Sequence, residues 1–210
     1  MAVREKVVEE FVEALSSKAP IPGGGGAAAL GAVLGNALGQ MVANLTIGKK
    51  KYASVEAEIV EVQSQLIALQ EECFVLAERD EEVFLPLSAA YALPTNTEEE
   101  KEKKQAVMEE CLLAASLVPL RLMESSVQTL HLLDTLGTKG SRLAVSDVGV
   151  GVQFVRTALC GAAMNVWINT KTMKNREQAE KLKRQAQNYL DEGRALADKI
   201  YDEVQETLQA

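Results

Sequence analysis

This 210-residue chain has one histidine, three cysteines, five prolines and 4% aromatic residues, and each scarcity excludes something. With His131 alone, a multi-histidine zinc site cannot be assembled, and any histidine-dependent triad would rest on that one residue. Cys73, Cys111 and Cys160 are odd in number, far apart and without a CxxC pair. Neither a disulfide framework nor a thiolate metal site is expected, and the thiols read as free and buried in a reducing compartment. So few prolines and aromatics argue against a sandwich or barrel of many short strands. Basic residues are also outnumbered, 22 Lys and Arg against 30 Asp and Glu, for a formal net charge of −8. That disfavours a general nucleic-acid binder, whose phosphate contacts need a basic face. Residues 1–14 carry Glu5, Glu9, Glu10 and Glu13 and no apolar run, so they do not read as a secretory signal, and a cytoplasmic protein is expected.

What the chain does have is helical periodicity almost throughout. Val3, Val7, Phe11 and Leu15 predict a first amphipathic helix ending before Pro20. A second helix is predicted from near Gly26 to Thr46. Val55, Ile59, Val62, Leu66, Leu69, Cys73 and Leu76 mark a long third helix that Pro86 bends and Pro94 ends. Asn96 to Glu100 reads as the cap and acidic first turn of a fourth, running through a kink at Pro119 to about Leu136. After a loop over 137–145, Ser146-Asp147 reads as the cap of a fifth helix reaching Met173. The sixth runs from about Arg176 to Leu208. No stretch reads as a strand and no linker interrupts the pattern. The expectation is one all-α domain over 1–210, a bundle of long up-and-down helices.

The second helix stands apart because Ala19 to Gly48 contains no charged residue. It is long enough to span a membrane, yet Asn36, Gln40 and Asn44 place an amide stripe along it, and its many Gly and Ala residues make it only weakly hydrophobic. Amphipathic neighbours need an apolar centre to pack on, so a central helix of a soluble bundle is favoured. Gly31, Gly35 and Gly39 share one ridge, each costing about 0.8–1 kcal/mol of helix propensity relative to alanine. Such a ridge implies close approach by another backbone or by a flat ligand, and the sequence leaves both open.

Several residues carry candidate chemistry. Gly23, Gly24 and Gly25 follow Pro20-Ile21-Pro22 without a preceding strand or a P-loop lysine, so they make no nucleotide fingerprint. A glycine turn into a helix N-terminus still offers free N–H groups to an anionic or carbonyl group. Lys49, Lys50 and Lys51 close the second helix, either as favourable partners of its dipole or as an attractor of polyanions. Asp80 continues the apolar stripe Leu69, Cys73, Leu76. Burial disfavours the charged carboxylate, which suits a group to general acid–base work, unless an unseen cation pairs with it. Asp147 beside Ser146 reads as a helix cap, with a site role as the alternative. Asn165 and Asn169, one turn apart, read as inward amides bonding backbone or a heterocycle. His131, among leucines, reads as a partly buried core histidine.

Taken together, these segments resemble the cyclodeaminase/cyclohydrolase family. The likeness runs in order through Pro20 to Gly25, Met41 to Tyr52, Asp80 with Phe84, Leu93-Pro94, Asn96 to Lys101, Val118-Pro119-Leu120, Ser146 to Val150, and Asn165-Val166 with Ile168-Asn169. The resemblance implies a helical bundle, usually a homodimer, acting on one-carbon derivatives of tetrahydrofolate without a metal or redox cofactor. Two reactions belong to such proteins: closure of 5-formimino-tetrahydrofolate to 5,10-methenyl-tetrahydrofolate with loss of ammonia, and hydrolysis of the methenyl form. The motifs lean toward the cyclodeaminase, with the cyclohydrolase as alternative and a non-catalytic folate-binding or scaffold protein as the rival of another class. On this reading Asp80 is the acid–base catalyst and Asp147 a second candidate or pterin ligand. Gly23 to Gly25, Asn44, Ser146, Asn165 and Asn169 contact the substrate, and Lys49 to Lys51 meet its polyglutamate tail. No nucleic acid, membrane or metal is expected. Gly26, Thr95, Ser141 and Gly151-Val152 depart from the family pattern, and Thr95 removes a cation that commonly follows Leu-Pro.

Overall fold

A computed structural model describes residues 3–210. Met1 and Ala2, within the expected 1–210 domain, lie outside the described residues. Six α-helices form one bundle: α1 Val8–Ser16, α2 Gly24–Asn44, α3 Glu56–Tyr91, α4 Glu98–Lys139, α5 Val145–Thr172 and α6 Arg176–Gln209. No strand occurs among the described residues, as the periodicity predicts.

The helix starts follow local chemistry in some places and not in others. Thr97 caps α4, its hydroxyl accepting from Glu100 N–H while the Glu100 carboxylate accepts from Thr97 N–H, a reciprocal capping box. Asn175 caps α6 by accepting from Gln178 N–H. The expected Ser146-Asp147 cap is corrected: the cap position is Ala144, no side chain closes it, and both residues sit inside the first turn. A 3-10 turn, Arg142–Ala144, winds straight into α5 and moves the boundary upstream. α3 continues through Pro86, and α4 continues through a buried Pro119. The expected loop over 137–145 is shorter, because α4 extends to Lys139.

The glycine ridge resolves in favour of helix packing. Gly31 lies against the Phe154 carbonyl and Ala158, and Gly35 against Val155 and the Gly151 carbonyl, so α2 and α5 approach almost backbone to backbone. Gly39 instead faces Leu66 and Leu133 of α3 and α4. The antiparallel α2–α5 pair thus forms the spine, with α3 and α4 on one side and α6 against α4 and α5. Around it the core divides lengthwise. One half gathers Ala28, Cys73, Leu76, Leu112, Ala162 and Leu182, and the other Val42, Leu66, Leu133, Val152 and Ile200.

Polar groups on these faces are satisfied locally. Buried Asn36 donates to the Ala32 carbonyl and accepts from the Thr129 hydroxyl, Gln40 donates to Gln70, and Asn44 accepts from Gln63. The amide stripe of α2 therefore ties it to its neighbours. Arg121 grips Glu72 through two nitrogens, at 2.6 and 3.0 Å, joining α3 to α4. His131 is exposed and bonds Glu192, correcting the core expectation: its position faces α6's outer edge although leucines flank it in sequence. Cys73 is buried, whereas Cys111 and Cys160 are half-buried, and all three are free thiols.

The packing account predicts opposite outcomes at neighbouring glycines. A Cβ at Gly35 would overlap Val155 and stand 3.0 Å from the Gly151 carbonyl, whereas one at Gly31 meets nothing nearer than 3.5 Å. Gly35→Ala should lose about 1–3 kcal/mol in urea unfolding despite better helix propensity, and Gly31→Ala should lose nothing. Equal stability of the two variants would contradict a spine held by close backbone approach.

Candidate active site

At the end of the bundle where α2 begins, a cavity of about 220 Å³ opens between α2, α3, α4 and α5. Asp80 reaches it because α3 carries Leu76 and Ala77 inward one turn earlier, so the same buried stripe presents the carboxyl next. Opposite stands the glycine turn. Gly23 is the cap position of α2, and Gly24 and Gly25 form its first turn. A Cβ on Gly25 would fall within the Asp80 carboxyl group, so only glycine lets this helix end approach the acid so closely. The turn enters through a cis Ile21–Pro22 peptide bond.

Asp80 is pushed up to about 6. Loss of hydration by burial is the main cause, and the charge of neighbouring Glu81 adds to it. The Gly26 N–H opposes both by donating to the carboxylate. Glu81 is itself held near Lys6, at 3.6 Å. No lysine or arginine lines the cavity, so the alternative of a paired cation at Asp80 does not apply. The acid is half-buried, uncompensated by positive charge, and able to exchange a proton near neutrality.

The remaining walls are apolar or amide. Val83 and Phe84 lie one turn beyond Asp80, with Ile168 opposite on α5. Asn165 donates through Nδ2 to the Gly161 carbonyl at 2.9 Å, and Asn169 to the Ala115 carbonyl at 2.8 Å. Each amide is thereby fixed in orientation with its Oδ1 left as an acceptor for a heterocycle's N–H edge. Ala115 and the Gly26 N–H also belong to this site. A small residue mid-helix and a backbone donor carry no sequence signal, and reading side chains along the chain misses both.

Other expected site residues lie elsewhere in the chain. Asn44 closes α2, 20 residues from Gly24, which is about 30 Å along the helix. Lys49, Lys50 and Lys51 follow it, exposed, at that same far end. Ser146 and Asp147 are there too, in the first turn of an α5 that runs antiparallel to α2. The expectation of one cleft gathering all of them is therefore corrected for a single chain. The segment 45–52 has a structural role at its own end: the Thr46 hydroxyl accepts from Ser141 N–H, and Tyr52 Oη accepts from Arg142 N–H, docking the α2–α3 connection on the α4–α5 turn. Among the described residues no group of three His, Cys, Asp or Glu side chains gathers as a metal site requires.

Known proteins resemble this chain along nearly its whole length. The sequence model of the family described as formiminotransferase-cyclodeaminase matches residues 7–188. A methenyltetrahydrofolate cyclohydrolase of Methylorubrum extorquens is 39% identical over 199 residues, covering 95% of this chain and 96% of that protein. A formimidoyltransferase-cyclodeaminase of Rattus norvegicus is 30% identical over 89% of this chain, which spans only 35% of that longer protein. The crystal structure of a formiminotetrahydrofolate cyclodeaminase from Thermotoga maritima superposes with a TM-score of 0.81 at 26% identity, covering 99% of this chain and 98% of that one. An all-helical bundle, a glycine turn closed on one protonatable acid, and matches of this extent lead to one conclusion: the chain belongs to the formiminotransferase-cyclodeaminase family of one-carbon folate enzymes.

Proposed function

We propose that the chain hydrolyses 5,10-methenyl-tetrahydrofolate to 10-formyl-tetrahydrofolate, with Asp80 moving the protons. The observation that carries a proton-transfer reaction is the half-buried Asp80 carboxyl, poised near pH 6 in a cavity free of other charge. Hydrolysis is placed ahead of cyclodeamination because the M. extorquens relative, matched end to end at the higher identity, is named for it.

The steps need only side chains present at the site. The Asp80 carboxylate takes a proton from water as the oxygen bonds to the methenyl carbon. The resulting carbinolamine loses its hydroxyl proton to solvent, and the carbon–N5 bond breaks while the Asp80 carboxyl returns a proton to N5. A pKa near the working pH serves both transfers, since neither direction is strongly uphill. Asn165 and Asn169 orient the pterin, Gly23 and Gly24 leave room at the α2 terminus, and Phe84 and Ile168 shield the reacting carbon.

Cyclodeamination is the second reading, supported by the T. maritima structure and by the sequence motifs. There the formimino group reacts in its protonated form: N10 attacks its carbon, Asp80 takes the N10 proton and passes it to the formimino nitrogen, and that nitrogen, now carrying three hydrogens, leaves as ammonia to give the methenyl cation. Asp147, Ser146 and Asn44 have no part in either scheme within one chain.

The working unit is proposed to be a homodimer. Leu34 and Met41 on α2, Leu45 just past its end, and Val150, Phe154 and Met164 on α5 are exposed on adjacent elements without a charged residue among them. In a chain of net charge −8, this face lets two copies meet without like charges opposed. A second copy is its proposed occupant. Light scattering should report a dimer, and Met41→Asp combined with Phe154→Asp a folded monomer; a monomeric parent would contradict the assignment.

Mixing the purified protein separately with the methenyl and formimino substrates assigns the reaction. Methenyl absorbance should fall faster than the uncatalysed rate in the first, whereas a rise in the second with no acceleration of the first would reverse the order of the two readings. Asp80→Asn should lower kcat by about 10²–10⁴-fold with substrate binding retained, and unchanged turnover removes Asp80 from the mechanism. Stability should move the other way. The folded state holds the Asp80 proton from pH 4 to about 6 while the unfolded chain releases it, so the parent loses stability as pH rises through that window. Asp80→Asn should thus match the parent at pH 4 and exceed it at pH 8 by on the order of 2 kcal/mol in urea unfolding. A gap of equal size at both pH values would show that burial does not perturb this acid.

A further inference from the structure

Among the described residues one buried side-chain polar atom lacks a hydrogen bond, and it is Oε1 of Glu81, the neighbour of Asp80 in α3. A carboxylate oxygen so placed is costly unless a charge offsets it. The cation is Lys6, whose Nζ stands 3.6 Å away, close enough for an ion pair but too far for a hydrogen bond. Both side chains are largely buried, 18% exposed for Lys6 and 16% for Glu81, so salt screens them poorly. The Glu81 charge is thus only partly compensated, one residue from the acid.

Lys6 is brought there by the segment ahead of α1. Val3 is buried, and the 3-10 turn Val3–Glu5 lies against α3. Arg4 fastens it, pairing with Glu71 and Glu78 while its guanidinium sits 5.2 Å from the centre of the Phe74 ring. Glu71, Phe74, Glu78 and Glu81 recur at steps of three and four, so this strap runs along one face of α3. Asp80 lies about 100° round the helix from Glu81. The same turn of α3 therefore shows one carboxyl to the cavity and the other to the strap. The surrounding elements bring little other charge. α2 has no ionisable side chain, and α4 and α5 turn none into the cavity. Glu5 and the glutamates of α1 are exposed, and Arg79 pairs with Glu82 on the outer surface.

We propose that Glu81 and Lys6 are positioning residues for the proton transfer: Glu81 holds a negative charge beside Asp80, and Lys6, placed by the strap, sets how much of it Asp80 feels. Neither residue lines the cavity, so both act through Asp80. The directions follow from charge alone. An anion near Asp80 disfavours its ionised form, and a cation beside that anion offsets the effect. Glu81 thereby works against the Gly26 N–H, with burial acting on the same side as Glu81.

The inference rests on Asp80 as the proton carrier proposed above. Its test is an NMR titration of the Asp80 carboxyl carbon in the parent, Glu81→Gln, Lys6→Met and the double variant. Gln and Met nearly match the length of the side chains they replace, so the packing is kept while the charge is removed. Glu81→Gln leaves Lys6 without its anion, and the Asp80 midpoint should fall by roughly half to one pH unit. Lys6→Met should raise it by a similar amount, and the double variant should lie between the two. The acidic limb of the kcat–pH profile, where Asp80 must ionise before it can accept a proton, should move with each midpoint. A midpoint in Glu81→Gln at or above the parent's, or one in Lys6→Met at or below it, would overturn the assignment. A purely structural pair would change stability without driving the midpoints in opposite directions. The titration needs no substrate, so opposite shifts with an unmoved kcat limb would uphold the pair's hold on Asp80 and count against Asp80 as the proton carrier.

Discussion

The close approach of the α2 terminus to the Asp80 carboxyl is the constraint on which the site depends. Gly25 permits it by having no Cβ, and the Gly26 N–H meets the acid once it is there. Two opposed effects follow. Removing water raises the proton affinity of the acid, while a backbone donor at a helix N-terminus lowers it. Burial wins, but the donor limits the shift, and the balance leaves a carboxyl that both takes and gives a proton near neutral pH. Burial without the donor would raise the proton affinity of the acid further, and a lysine in the wall would lower it.

That approach is held by the packing of the rest of the bundle. Gly31 and Gly35 let α2 lie directly on α5, which sets the height of the glycine turn relative to Asn165 and Asn169. Arg121 and Glu72 bind α3 to α4 and so fix the face from which Asp80 projects. The residues that define the cavity come from four helices, while the contacts that position them lie one to three turns deeper in the core.

Much of this was legible in the sequence because periodicity reports burial. The Leu69, Cys73, Leu76 stripe pointed to Asp80 as an acid on a buried face, and the glycine run pointed to a tight turn into a helix. What the sequence did not reveal is which end of each helix meets which. Asp147 and Lys49 to Lys51 are chemically attractive, and their motifs follow the family pattern, yet α2 and α5 are each over 20 residues long and place them at the opposite end. The Ser146-Asp147 cap failed for a local reason, since a 3-10 turn starts the helix before either residue. His131 shows the limit of reading neighbours in sequence: leucines beside it in the chain point to other faces of α4.

The most direct measurement of the central claim is a carbon-13 NMR titration of the Asp80 side-chain carboxyl in the folded protein, assigned by comparison with Asp80→Asn. The account predicts a midpoint near pH 6. A midpoint at the ordinary aspartate value of about 3.9 would contradict it, because the acid would then be ionised throughout the working range with no proton to return.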